Sequence, residues 1–203
     1  MSKRMDRNTR REQIAEAALE LAAKSISAIT VENVAKACKI VPSALYRHYR
    51  NKDEIFEGLR DLVRNKLIAN ATLAAKEETS PLAILKNLAL RHADLLYKYP
   101  GIPRLMFSDK ITGKNSLRRK GFLAVMTEYR KTAASIAKKG QNTGEIRSDI
   151  EPDDVVFMLL GTVVPPSFLF HLSDGDYDPR PQIRRNLLLF EDAVKNRNIS
   201  EES

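Results

Sequence analysis

Apolar residues recur at helical spacing along most of the chain, and the breaks between these runs mark the helix ends. Thr9 and Glu12 form a capping box, after which Ile14, Ala17, Ala18, Leu21 and Ala22 give a first helix its apolar face as far as about Lys24. Ahead of it, Met1 to Asn8 reads as a disordered basic arm with Lys3, Arg4 and Arg7 exposed. Val31, Val34, Ala35 and Cys38 predict a short helix capped by Thr30, with Glu32 near the positive end of its dipole. A break at Lys39 and Ile40 separates it from a second short run, Ala44, Leu45 and Tyr49. Pro42 suits the first turn of that run, because its missing N–H would have had no partner there. Asn51 and Glu54 signal another start, and Ile55, Phe56, Leu59, Leu62, Val63, Leu67 and Ile68 carry a helix from Lys52 to about Lys76. At about 1.5 Å per residue this rod is on the order of 35 Å long.

Ser80 and Pro81 begin the next helix, carried by Leu82, Leu85, Leu88, Ala89, Ala93, Leu96 and Tyr97 and ended by Pro100-Gly101. A shorter segment spans Pro103 to Lys110. After a loop from Thr112 to Asn115 the pattern resumes at Leu117, Phe122, Val125, Met126, Tyr129, Ala133 and Ile136, and Lys138, Lys139 and Gly140 give a helix end. Gly144 to Pro152 is a connecting loop. The following helix opens on Asp153 and Asp154 and runs through Val155, Val156, Met158, Leu159 and Gly161 to Pro165-Pro166, which is expected to kink or break it. Beyond a loop from Ser173 to Pro181, a last helix carries Ile183, Leu187, Leu188, Phe190 and Val194, and the polar tail from Asn196 is expected to fray.

Two short helices joined by a tight turn and followed by a capped long helix make a helix-turn-helix unit, whose second helix is the one offered to a DNA major groove. Leu45 and Tyr49 are expected to point inward, leaving Pro42, Ser43, Tyr46, Arg47 and His48 wholly or partly outward. Ala35, Ala37, Leu45, Tyr46, His48, Tyr49, Lys52, Asp53 and Glu54 stand at fixed register. In this the stretch resembles the TetR family of bacterial transcriptional regulators, with Tyr49 where the family has Phe. The turn departs from the family's Gly-Val-Ser: with Lys39, Ile40 and Val41 a positive φ falls on a non-glycine residue and the second helix has no side-chain cap, which implies a turn either slightly remodelled or strained by on the order of 1 kcal/mol. The double proline is also atypical of the family.

The resemblance implies an all-α fold of about nine helices in two parts. Residues 1–50, extending to about 56, form a three-helix DNA-binding domain with a basic N-terminal arm, and 51–203 form a helical ligand-binding and dimerisation domain. By side-chain chemistry, Thr30, Tyr46, His48 and Lys52 are the candidate phosphate contacts. Lys39, Pro42, Ser43 and Arg47 are the candidate base readers, Arg being the best bidentate partner for guanine, and Ala44 can meet a thymine methyl.

Composition is consistent with this reading. Lys and Arg number 34 against 26 acidic residues, a net charge of +8 that suits a polyanionic partner. The single cysteine, Cys38, excludes an internal disulfide and fits a reducing cytoplasm. The basic start is followed by a mixed amphipathic helix and not by an apolar export core. The longest apolar run, Val155 to Leu172, nears spanning length but contains Thr162, Pro165, Pro166, Ser167 and His171, so a buried helix pair is expected and no membrane partner. No Gly-rich phosphate loop, zinc spacing or nucleophile elbow is present, and the three histidines stand far apart, so neither an enzyme nor a metal or other cofactor is expected.

The last two helices, about 153–172 and 181–195, have wide apolar faces that a two-fold copy would bury as a four-helix bundle. Double-stranded DNA is then the partner of a homodimer whose two readers enter major grooves about 34–36 Å apart, or a multiple of that. A small apolar or amphipathic effector is expected among Met106, Phe107, Phe122, Met126, Tyr129, Phe157 and Met158, which serve equally well as plain core. The resemblance implies a repressor released from a near-palindromic operator by that ligand. The alternative within the family is a DNA-bound structural or cell-division factor occupying many chromosomal sites.

Overall fold

The computed structural model describes residues 6–113 and 116–197, so Met1 to Met5 of the basic arm, with Lys3 and Arg4, and Lys114–Asn115 of the expected loop lie outside the described residues. Ten α-helices account for most of the rest: α1 Arg7–Lys24, α2 Val31–Ala37, α3 Pro42–Leu45, α4 Lys52–Glu77, α5 Pro81–Lys98, α6 Gly101–Met106, α7 Asp109–Thr112, α8 Ser116–Asn142, α9 Pro152–Leu172 and α10 Arg180–Val194. Among the described residues strand pairing is confined to one isolated bridge, Ile146 with Lys195.

Packing divides the chain into two units. The first comprises residues 1–66 and 99–125, the second 67–98 and 126–203. The helix-turn-helix lies wholly in the first, together with α6, α7 and the first turns of α8. Its core is built from Ile14, Ala18, Leu19, Ala22, Ile29, Val34, Ala35, Leu45, Tyr49, Ile55, Phe56 and Leu59, all buried. Leu45 and Tyr49 point inward as their spacing predicts. The second unit packs α5 against α9 and α10 through Leu85, Leu88, Val155, Val156, Leu159, Ile183, Leu187 and Phe190.

Four expectations are corrected by the structure. Helix α1 begins at Arg7 and not at Thr9, because Asp6 outcompetes Thr9 as cap: its carboxylate accepts the Asn8 N–H at 3.2 Å and lies on the positive helix end. Arg7 and Asn8 are therefore helical, not part of a disordered arm. The segment expected over Pro103 to Lys110 is two short helices, α6 and α7, and Gly101 opens α6 as well as following α5. Helix α8 does not stop at Gly140 but continues to Asn142; a Cβ at Gly140 would lie 2.6 Å from Ile146 Cδ1, so that glycine serves close packing, and Gly144 at φ 78° makes the left-handed stop.

The fourth correction is Pro165-Pro166, which does not break α9: the helix is continuous to Leu172. A proline at 166 frees the carbonyl of Thr162, and Asn186 Nδ2 of α10 donates to it at 3.2 Å. By length and composition alone α9 could cross a membrane. One side of it, however, carries the buried polar residues Thr162 and Ser167 and takes this hydrogen bond from a neighbouring helix.

The tail is tied down as far as it is described. Asn196 N–H donates to the Glu145 carbonyl at 3.0 Å, and Arg147 N–H to the Val194 carbonyl at 2.9 Å.

Candidate nucleic-acid interface

Local chemistry sets the geometry of the helix-turn-helix. Thr30 Oγ1 accepts the Asn33 N–H at 3.1 Å and starts α2. Helix α2 ends in a Schellman motif: the Ile40 N–H reaches the Ala35 carbonyl and the Lys39 N–H that of Lys36, both at 3.0 Å. The motif needs a left-handed residue between them, and Lys39 takes φ 54° where glycine would be unstrained. Lys39→Gly is therefore expected to raise stability by up to about 1 kcal/mol, checked by urea midpoint, while losing one exposed cation from the reader.

Helix α3 starts on Pro42 with Val41 before it, and no side chain caps it. After Leu45 the ladder tightens: Arg47 and His48 N–H groups reach back three residues to Ala44 and Leu45, and Tyr49 four residues to Leu45. The turn into α4 is doubly capped, Asn51 Oδ1 accepting the Glu54 N–H at 3.0 Å and Glu54 Oε2 accepting the Arg50 N–H at 2.9 Å.

The result is a solvent-facing row. Lys39, Pro42, Ser43, Tyr46 and Arg47 are exposed, Tyr46 to 49%, while Thr30, Ala44, His48 and Lys52 are half-buried. Among the described residues Arg47 has no ion-pair partner. Behind the row, Tyr49 is buried, its hydroxyl donating to the Arg11 carbonyl at 2.9 Å, while the Arg11 guanidinium sits 4.2 Å over the Tyr49 ring and donates to the His48 carbonyl. This exchange joins α1 to the end of the reader. Gly58 leaves room for the Tyr49 ring, since a Cβ there would lie 2.3 Å from its hydroxyl.

Sequence reasoning did not place Arg10 and Arg11 at the site, though the i, i+3, i+4 spacing of Arg7, Arg10 and Arg11 carried the signal. Burial first, and then the positive fields of Arg10, Arg7, Arg11 and Arg47, hold His48 below the usual imidazole range. Its Nδ1 is sealed from solvent without a partner. The neutral tautomer with the proton on Nε2 leaves only a lone pair at that atom, which costs less than a buried orphan N–H. Burial likewise raises the Cys38 thiol above its ordinary value.

The seven residues expected around a ligand do not form one group. Met106, Phe107 and Phe122 belong to the first unit; Met126, Tyr129, Phe157 and Met158 belong to the second. Phe122 lines a cleft of about 250 Å³ with Asp53, Phe56, Glu57, Arg60, Leu117 and Arg118. Tyr129 is buried against His92, with 3.1 Å between its hydroxyl and Nδ1, and desolvation lowers the histidine to about 4 and raises the phenol. Phe107 is exposed, and Phe157 and Met158 lie on the outer side of α9, Phe157 to 61%. Among the described residues no group of His, Cys, Asp and Glu could hold a metal ion.

Residues 14–59 match the profile of the bacterial regulatory proteins of the tetR family. In sequence, the chain is 29% identical to the nucleoid occlusion factor SlmA of Marinomonas sp. over 56% of its own length and 58% of that protein's. It is 26% identical to the SlmA of Marinobacter nauticus over 84% of its length and 91% of that protein's. The first of these matches thus reaches little more than half of the relative. In structure, it is similar to the fatty acid degradation regulator FadR from Bacillus halodurans, at a TM-score of 0.77 and 17% identity over 93% of this chain and 96% of that one. The transcriptional regulator FadR from Bacillus subtilis, solved in complex with stearoyl-CoA, gives 0.75 and 21% over 88% and 96%. A TetR-family regulator from Rhodococcus sp. gives 0.75 and 19% over 92% and 98%.

Proposed function

Because residues 14–59 are a TetR-family DNA-binding domain and the chain folds as the solved TetR-family regulators do, we propose that it is a sequence-specific transcriptional regulator, a homodimeric repressor released from a near-palindromic operator by a small apolar or amphipathic ligand. The observation that carries this reading is the short exposed helix after Val41, which offers Ser43, Tyr46 and an unpaired Arg47 from a frame pinned by Arg11 and Tyr49. Thr30, Tyr46, His48 and Lys52 position the duplex through phosphates, and Lys39, Pro42, Ser43, Ala44 and Arg47 read base edges. Arg7 and Arg10 add positive field on the same side. The likeness to a regulator solved with stearoyl-CoA supports a long amphipathic effector. Such a molecule must favour one spacing of the two readers, since equal affinity for both would shift nothing.

The test is a pair of operator titrations. Tyr46→Ala and Lys52→Ala are expected to weaken operator and random DNA alike, whereas Arg47→Ala narrows the gap between them by about tenfold, the worth of one lost bidentate base contact. Equal affinities for all three variants and the wild type at two salt concentrations would sink the assignment.

The name of the sequence relatives, nucleoid occlusion factor, favours a second reading, a DNA-bound factor at many chromosomal sites. Genome-wide occupancy separates the two: a few peaks at promoters support regulation, many scattered peaks the other.

A further inference from the structure

Helix α3 is only four residues long, and no side chain caps its start. A helix this short does not hold its own direction in water, so its bearing is set by what it is tied to on either side. Leu45, fully buried, anchors the chain before Tyr46 and Arg47, and Tyr49, 1% exposed, anchors it after them. Past Arg47 the tie runs to Arg11, on a helix fixed in place by the buried Ile14, Ala15, Ala18 and Leu19. The Arg11 guanidinium donates to the His48 carbonyl and stands 4.2 Å over the Tyr49 ring, while the Tyr49 hydroxyl donates back to the Arg11 carbonyl at 2.9 Å. The His48 carbonyl follows Leu45, the last carbonyl that the tightened turn uses, so its oxygen depends on an outside donor. On α4, a Cβ at Gly58 would lie 2.3 Å from the same hydroxyl and 2.8 Å from Cε1. Three helices therefore meet on one ring, α1 through Arg11, α4 through Gly58 and the α3 segment through Tyr49 itself.

We propose that Arg11 is a positioning residue for DNA recognition: with the Tyr49 hydroxyl it fixes the direction in which Tyr46 and Arg47 leave the surface, and so sets sequence preference without touching the duplex. This rests on the DNA-binding reading above. The Arg11 guanidinium is turned inward onto a carbonyl and a ring, whereas that of Arg47 is exposed. A phosphate contact tolerates a small shift because the backbone repeats and carries no sequence, but a bidentate base contact is directional and does not. Loosening the tie to α1 therefore costs preference for one sequence before it costs affinity for DNA in general.

The experiment enriches a duplex from a randomised pool with the wild-type full chain, then measures each variant on that duplex and on a random-sequence duplex by fluorescence anisotropy between about 50 and about 200 mM salt. Tyr49→Phe, which removes only the hydroxyl, is expected to lower the preference for the enriched duplex by about fivefold, the worth of one hydrogen bond, and Arg11→Met to lower it at least as much. Affinity for the random duplex and the slope of log affinity against log salt stay at the wild-type values. The double variant loses little more than the worse single one, because both cut the same tie, and Arg11→Lys, with a donor and a cation still over the ring, keeps most of the preference. Urea unfolding checks folding, and Tyr49→Phe, whose buried ring is intact, decides the matter where Arg11→Met does not fold. Equal loss on both duplexes would overturn this inference alone: a salt slope lower by about 1 would make Arg11 a phosphate contact, and a lower urea midpoint at unchanged slope a merely stabilising residue. An unchanged preference in the folded variants would overturn it too. A wild-type chain that enriches no duplex would overturn the DNA-binding reading with it.

Discussion

A chain carrying both Phe168→Glu and Leu172→Glu is expected to sediment as a monomer and to bind its operator at least about a hundredfold more weakly than the wild type. The outer side of α9 shows Phe157, Met158, Gly161, Pro165, Phe168, Leu169 and Leu172, returning every three or four residues, with Phe168 exposed to 49% and Leu172 to 69%. Leu188 and Leu189 stand equally open on α10. An apolar stripe of this length on a helix whose other side is already buried calls for a partner. At Gly161 an added Cβ would meet nothing within 4 Å, which leaves room for the close approach of a second helix. Carboxylates placed there cost little in the monomer and several kcal/mol once buried without a counter-charge. Two half-sites then bind separately, and the gain from linking them is lost. Analytical ultracentrifugation with operator titration checks this; an unchanged sedimentation coefficient in a folded variant would refute the interface.

The helix-turn-helix was legible in the sequence because local chemistry makes it. Thr30, Pro42, Asn51 and Glu54 act on backbone groups within four residues, so spacing alone predicts what they do. What spacing could not predict was decided by a distant partner. The freed carbonyl of Thr162 costs little only because Asn186 is at hand, and Gly140 is a packing glycine only because Ile146 folds over it. The residues expected around a ligand were the least legible part. Phe122, Tyr129 and Phe157 look alike in a hydrophobic pattern, yet one lines a cleft, one is locked onto His92 and one faces out. Arg11 was hidden for another reason: its sequence neighbourhood marks an exposed basic turn, whereas its work is done 38 positions away on Tyr49.

Gly101→Ala is expected to destabilise the protein by more than about 1 kcal/mol and to lower operator affinity with it. In an unpacked helix the same change stabilises by up to about 1 kcal/mol, so the sign of the result is decisive. Gly101 is buried at the start of α6, where that helix crosses α1. A Cβ there would stand 2.2 Å from the Leu19 carbonyl oxygen and 3.1 Å from the Ala23 nitrogen, both backbone atoms of the hydrogen-bonded last turns of α1, which cannot turn aside as a side chain could. Either α6 lifts away, exposing Ile102 and Leu105, or α1 bends. Because Arg11 of α1 grips the Tyr49 ring and the His48 carbonyl, bending α1 moves the reader as well. Arg104→Ala is the control: it removes only an exposed guanidinium 3.4 Å from the Lys24 carbonyl on the same helix pair and is expected to change stability by less than about 0.5 kcal/mol. Urea unfolding followed by circular dichroism measures both, and a Gly101→Ala midpoint at or above the wild type would show that α6 does not seat on α1 as tightly as these distances require.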